Sequence, residues 1–200
     1  MQIKYGIQTR RHFPDIVDRY LGKDLLILGS GQNIWWEMDK ARERLPGSDI
    51  MVINHTLMGL EWMIRTDKIK ITHYASLHPE FFYFLDVWMK GYGVETHSNQ
   101  DHERVMNRWP LNGDGSSALF SLKIALLMGY KRIVICGVPL NNTPRFYDHP
   151  DTNYFMADPA IHMAWQDFKK AIGEEGAERI RSMGGYPLAL YGAPEGEWIS

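Results

Sequence analysis

The chain has a single cysteine, no excess of either charge and no long apolar run, and each shortage removes a class of explanation. Cys136 alone cannot close an internal disulfide. It sits in the apolar stretch Arg132–Val138, so a buried, inert thiol is expected rather than a redox centre. With 22 Lys+Arg against 24 Asp+Glu the formal net charge is -2, which excludes attachment to nucleic acid or to a membrane surface by bulk charge. No apolar run exceeds five residues, whereas a bilayer span needs about 20. Met1–Phe13 carries basic residues with no apolar segment behind them, unlike a secretory leader. A soluble, cytoplasmic protein is the expectation. The eight histidines form no HxxxH or HExxH pair, so no metal site is predicted. There is no GxxxxGK[ST] phosphate loop. Gly115-Ser116-Ser117-Ala118-Leu119 lacks the final glycine of a GxSxG nucleophile turn, which disfavours a serine hydrolase.

What is present is the composition of a folded domain. At 44% hydrophobic and 23% charged residues the chain is too apolar for disorder, and 200 residues suit one domain of ~100–200. Short apolar runs alternate with helical periodicity. Strands are predicted at Asp24–Leu28, Asp49–Asn54, Ile69–Leu77 and Arg132–Gly137, with Gly93–Thr96 a short edge strand and Arg179–Met183 the last. Helices are predicted at Asn33–Leu45, from Pro79 through Phe81, Leu85 and Trp88, at Ser116–Tyr130, and from Asp158-Pro159 to Gly173. The Ser116–Tyr130 segment is apolar nearly all round, so it is either buried in the core or part of a homo-oligomer contact. Continuous apolar strands alternating with helices specify an α/β fold with a largely parallel sheet. Such sheets hold ligands beyond the carboxyl ends of their strands.

That rule selects the loops to read. Gly29-Ser30-Gly31-Gln32-Asn33 joins the first strand to a helix and suits either a phosphate or a plain tight turn. The second strand ends in Asn54, an uncharged partner for a ribose or base, where an NAD site would carry an acid. Asn112–Ser117 leads into the buried helix, and Ser116 and Ser117 serve either as caps or as anion contacts beside Gly115. His78 lies in the Ala75–Pro79 loop, and Tyr147-Asp148-His149 follows the central strand. His78 and His149 are the candidate general bases, although histidines such as His73, His78, His149 and His162 are more often structural or solvent-facing. Two anion-type loops on one sheet edge, with Asn54 between them, favour a nucleotide or nucleotide-sugar ligand, with the cofactor otherwise unspecified.

The stretch Gly115–Val138 (GSSALFSLKIALLMGYKRIVICGV) resembles the Ser/Gly-rich helix start and the following strand of one particular Rossmann-like group. That group includes the bacterial CMP-sialic-acid sialyltransferases and the archaeal 6-hydroxymethylpterin diphosphokinase-like (domain of unknown function 115) proteins. Small phage-encoded proteins look similar along most of their length. Gly29–Asn33 occupies the place of the group's G-x-G-P-S loop, and Val52-Ile53-Asn54 that of its strand end. The resemblance implies a Rossmann-like three-layer sandwich. It also implies that Gly29, Ser30, Gly31 and Asn33 lie against a phosphate or sugar, that Asn54 contacts ribose or base, and that Ser116 and Ser117 sit at a second anion loop. Two departures stand out: Gln32-Asn33 replaces Pro-Ser, and Pro139 stands at an acidic position. Tyr147, His149, Tyr154 and His162 correspond to the group's later Tyr/His lid by region only. The expectation is a glycosyl- or phosphoryl-group transferase using a nucleotide-linked donor. The alternative is a non-catalytic protein that sequesters a nucleotide.

Overall fold

The computed structural model describes residues 15–83, 93–148 and 158–199. Among these residues seven parallel strands form one sheet in the order β5-β4-β3-β2-β1-β6-β7. They are β1 (Asp24–Leu28), β2 (Asp49–Ile53), β3 (His73–Ala75), β4 (Glu95–Ser98), β5 (Asn107–Arg108), β6 (Arg132–Cys136) and β7 (Ile180–Ser182). Among the described residues five helices cover it: α1 (Ile34–Arg44), α2 (Thr56–Arg65), α3 (Ser117–Leu127), α4 (Pro159–Glu178) and α5 (Gly185–Tyr191).

The apolar strands are continuous because they are buried on both sides. Leu25 and Ile27 face the core beneath α3, α4 and α5, whereas Leu26 and Leu28 face the core beneath α1 and α2. Val134 and Cys136 share the second core, so the lone thiol is buried as expected. Burial also raises its pKa well above the ordinary thiol range, which keeps it unreactive. The result is the expected α/β, Rossmann-like three-layer sandwich. Among the described residues no helix is long and apolar enough to cross a membrane.

Several elements differ from expectation for identifiable reasons. The third strand starts at His73, not Ile69, because the Thr72 hydroxyl takes the Ile50 N–H at 2.9 Å where a ladder bond would form. The expected edge strand near Gly93 lies one place inside the edge. The Thr96 hydroxyl accepts from Met106 N and donates to Arg104 O, which draws the chain alongside so that Asn107–Arg108 pairs as β5. Of the helix expected from Pro79, the described residues hold a 3-10 turn, Pro79–Phe82, and a helical Tyr83; Leu85 and Trp88 lie outside the described residues. Helix α4 breaks at Gly173 (φ 68) as anticipated, but resumes to Glu178. Helices α2 and α5 had no counterpart in the sequence reading. The all-round apolar α3 is buried within its own chain, in one core with the sheet and α4, so its composition does not require a second copy.

Candidate ligand-binding cleft

After β5 the chain crosses back to the far side of β1, so the loops leaving β1 and β6 part in opposite directions and open a crevice. A cleft of about 350 Å³ lies there, at the carboxyl edge of the sheet. It brings together Gly29, Ser30, Gly31, Asn54, His78, Gly115, Ser116, Ser117 and Tyr147 from five separate loops. Asn33 does not line it: this residue sits at the N-cap of α1, where its carbonyl accepts from Glu37 N. His149 and Tyr154 lie outside the described residues.

The glycine turn works differently from a simple phosphate cradle. Gly29 N and Gly31 N donate to Cys136 O and Gly137 O, both at 2.8 Å, so those two amides are already used. A Cβ on Gly29 would come within 2.5 Å of Gly137 O, and one on Gly137 within 2.6 Å of Gly29 O. The two glycines let the ends of β1 and β6 touch. The buried Glu37 carboxylate on α1 accepts from Gly137 N at 2.7 Å and locks that contact from behind.

Opposite this turn, Ser76 ties two loops together. Its hydroxyl donates to Asn54 Oδ1 at 2.7 Å and accepts from His78 N at 2.9 Å. Asn54 adopts a left-handed φ of 49, a conformation that asparagine tolerates better than most residues. Its oxygen is thereby fixed and its amide NH2 is the part left to a ligand. The His78 side chain is about half exposed, with Nδ1 3.6 Å from the Glu80 carboxylate.

The third wall is the start of α3. Ser116 caps the helix, its hydroxyl accepting from Leu119 N at 3.2 Å, and Ser117 and Ala118 present the first turn to the cleft. A helix N-terminus of this kind favours an anion. The preceding loop is braced from within the helix: Lys123, 8% exposed, donates to Asn112 O at 2.7 Å and to Asp114 Oδ2 at 2.6 Å.

A strap, residues 145–148, closes the fourth side. Gly31 and Arg145 form a β-bridge, and Phe146 N donates to Ser30 O at 2.9 Å. The Phe146 ring enters a notch between Trp35 on α1 and Gly59 on α2. On either side of this pin, Arg145 and Tyr147 reach the cleft, with Arg145 Nη1 donating to Tyr147 Oη at 2.8 Å. His55, next after Asn54, completes the lining; its ring lies 3.9 Å from Phe81 and 5.6 Å from Tyr147 between centroids. Burial, with the Arg145 charge second, holds the His55 pKa below its ordinary value. His55 and Arg145 were not singled out from sequence, yet both stand in loops that the carboxyl-end rule had already selected.

The other described histidines lie elsewhere. His162 bonds Leu140 O at 2.7 Å and stacks on Tyr186, a structural role. His73 and His97 are buried towards the opposite edge of the sheet, with Glu95 nearby, and their ligand atoms are close enough to suggest a metal centre. Proton bookkeeping excludes it. Trp109 Nε1 can only donate, and it reaches His97 Nδ1 at 3.1 Å, so the neutral His97 ring carries its hydrogen on Nε2. That hydrogen points to His73 Nδ1 at 3.1 Å. His73 Nε2 then donates to Tyr130 Oη at 2.6 Å, and Tyr130 to Asp49 Oδ2 at 2.9 Å. A metal on His97 Nε2 would set two donors against each other at Trp109. Burial lowers the pKa of both rings, His73 to about 4, consistent with a neutral, one-way chain.

No protein-family model and no curated protein matches the sequence. Among solved structures, the fold is similar to the MAf glycosyltransferase from Magnetospirillum magneticum AMB-1, with a TM-score of 0.53 and 12% identity. The match covers 83% of this chain and 32% of that one, so the chain spans about a third of that enzyme's length. The likeness is one of fold.

Proposed function

We propose that the cleft binds a nucleotide and that the protein is a glycosyl- or phosphoryl-group transferase using a nucleotide-linked donor. The observation that carries this reading is the convergence on one cleft of the α3 N-terminus, Arg145 and the uncharged Asn54. The first two favour a phosphate; the third suits a ribose or base. In a transfer reaction, Ser117 and the first turn of α3 would hold the departing phosphate in place as its charge develops. His78, half exposed beside Glu80, would be the base for an acceptor hydroxyl. The fold shared with a glycosyltransferase and the sequence resemblance to sialyltransferases support the same class.

One observation favours the alternative of a non-catalytic nucleotide binder. Pro139, at the position where the resembling group has an acid, is itself part of the lining. Native mass spectrometry after incubation with nucleoside monophosphates and with CMP-, UDP- and GDP-sugars separates the two. Free nucleotide released from a sugar donor supports the transferase. Intact ligand retained on the protein supports sequestration. No retention of any of them contradicts both.

A further inference from the structure

The orientation of the Asn54 side-chain amide follows from the hydrogens around it. Ser76 is fully buried, and its hydroxyl has one hydrogen to give. The backbone N–H of His78 donates to that oxygen at 2.9 Å, so the hydroxyl hydrogen points elsewhere. Asn54 Oδ1 lies 2.7 Å away and His78 O 3.1 Å away; the shorter contact takes it. A separation of 2.7 Å is that of an O–H···O bond, shorter than the ~2.9–3.0 Å usual where an N–H donates to oxygen. The amide oxygen therefore faces the buried serine. The backbone holds the residue there, with Asn54 N bonded to Ala75 O at 3.3 Å and a left-handed φ of 49. Among the described residues nothing accepts from the Asn54 NH2, and the residue lines the cleft. The wall beside it is aromatic. His55, Phe81 and Tyr147 all line the cleft, the His55 ring lying 3.9 Å from Phe81 and 5.6 Å from Tyr147 between centroids. That wall suits the flat face of a base.

We infer that Ser76 holds Asn54 as a hydrogen-bond donor to the ligand's base, so that the cleft selects nucleotides presenting a keto oxygen there and rejects those with an amino group in its place. This selectivity rests on the nucleotide reading above and narrows it to uracil and 6-oxopurine bases over cytosine and adenine. The members of each pair have nearly the same shape, so proton direction decides between them. An amino group would set two donors against each other, and Asn54 could turn to accept from it only by giving up the Ser76 hydrogen. Ser76, buried beneath the cleft, acts through Asn54 and is a positioning residue.

Two measurements test it. On ligand-free protein, Ser76→Ala should move the carbon-13 resonance of the Asn54 side-chain carbonyl upfield, because the bond it accepts is lost, and leave its NH2 protons in place. An unmoved carbonyl, or movement of the NH2 protons instead, would overturn the inference. The second measurement is calorimetric titration with two matched pairs, UMP against CMP and IMP against AMP. Wild type should favour the keto member of each pair that binds by about 10-fold or more, the worth of one hydrogen bond and one avoided meeting of donors. Asn54→Asp tolerates the same φ and still accepts from Ser76, but offers the cleft an oxygen, so it should reverse the preference. Ser76→Ala should bring the ratio towards one. A ratio within a pair is insensitive to a general loss of phosphate affinity, which acts on both members alike. Equal binding of both members, preference for the amino member, or a keto preference unchanged in either variant would overturn the inference and leave the nucleotide reading standing. No binding of any of the four by wild type would overturn both.

Discussion

Lys123 lies on a helix that is otherwise apolar on nearly every side, and its ammonium group reaches back to hold Asn112 O and Asp114 Oδ2. From sequence it reads as a break in the pattern; in the fold it is the brace of the loop that presents Ser116. Lys123→Met should lower unfolding stability in urea by about 1–2 kcal/mol, since a charged hydrogen bond is lost but Asp114 stays partly hydrated. It should also weaken ligand binding; unchanged stability and affinity together would show that the brace is idle. The buried Trp109–His97–His73–Tyr130–Asp49 chain makes a second expectation at this scale. His73 has a folded pKa of about 4 against 6.5 for an ordinary ring, so below pH 6.5 the unfolded chain takes up a proton that the folded one refuses. Stability should therefore fall as pH drops from 6.5 towards 4, by on the order of 3 kcal/mol from His73 alone, with His97 acting in the same direction. Urea midpoints measured across that range, in wild type and His73→Gln, check it: the variant should show a shallower fall. Gly29, Asn54, Ser116 and Ser117 were legible as cleft residues because loop position alone reveals them. His55 and Arg145 were not, because their importance comes from partners 92 and 2 residues away along the chain, and only the fold brings the first of these together.

Helix α2 shows why some elements escape a sequence reading. Thr56, Leu57, Leu60 and Ile64 form a proper buried stripe, but Gly59 interrupts it and glycine costs a helix interior about 1 kcal/mol relative to alanine. The structure supplies the compensation. A Cβ at Gly59 would collide with the Phe146 ring and come within 3.1 Å of Trp35, so the glycine is the notch that seats the strap. Gly59→Ala should leave the fold intact, since helix propensity improves, while displacing Phe146 and with it Arg145 and Tyr147. Hydrogen exchange should show faster amides at Phe146 and Asp148, which bond Ser30 O and Arg145 O, together with weaker nucleotide binding. Unchanged exchange at both amides would mean that the strap does not depend on the notch. The central strands β1, β2 and β6 were readable for the opposite reason: they are buried on both faces, so their apolar runs are unbroken. β5, two residues long, carries no such signal and exists through the Thr96 hydroxyl.

For the whole molecule, a net charge of -2 and a cleft suited to anions are compatible. In the proposed reading the attraction would come from backbone amides at the start of α3, which no charge count includes, and from Arg145, carried to the cleft by the strap. The order of strands places these groups together: the reversal between β1 and β6 opens the crevice, and the loops of β2, β3 and α3 wall it. Alternating periodicity was enough to foresee that architecture and that edge of the sheet. It could not foresee that Gly29 and Gly31 would use their amides on the end of β6, which in the proposed reading leaves anion recognition to α3 and the strap. The most direct test of this account is calorimetric titration of nucleoside monophosphates into wild type, Arg145→Met and the remote surface variant Lys40→Met. The expected result is binding by wild type and Lys40→Met alike, with a loss of about 10- to 100-fold in Arg145→Met. Equal affinity in wild type and Arg145→Met, or no binding by wild type, would contradict it.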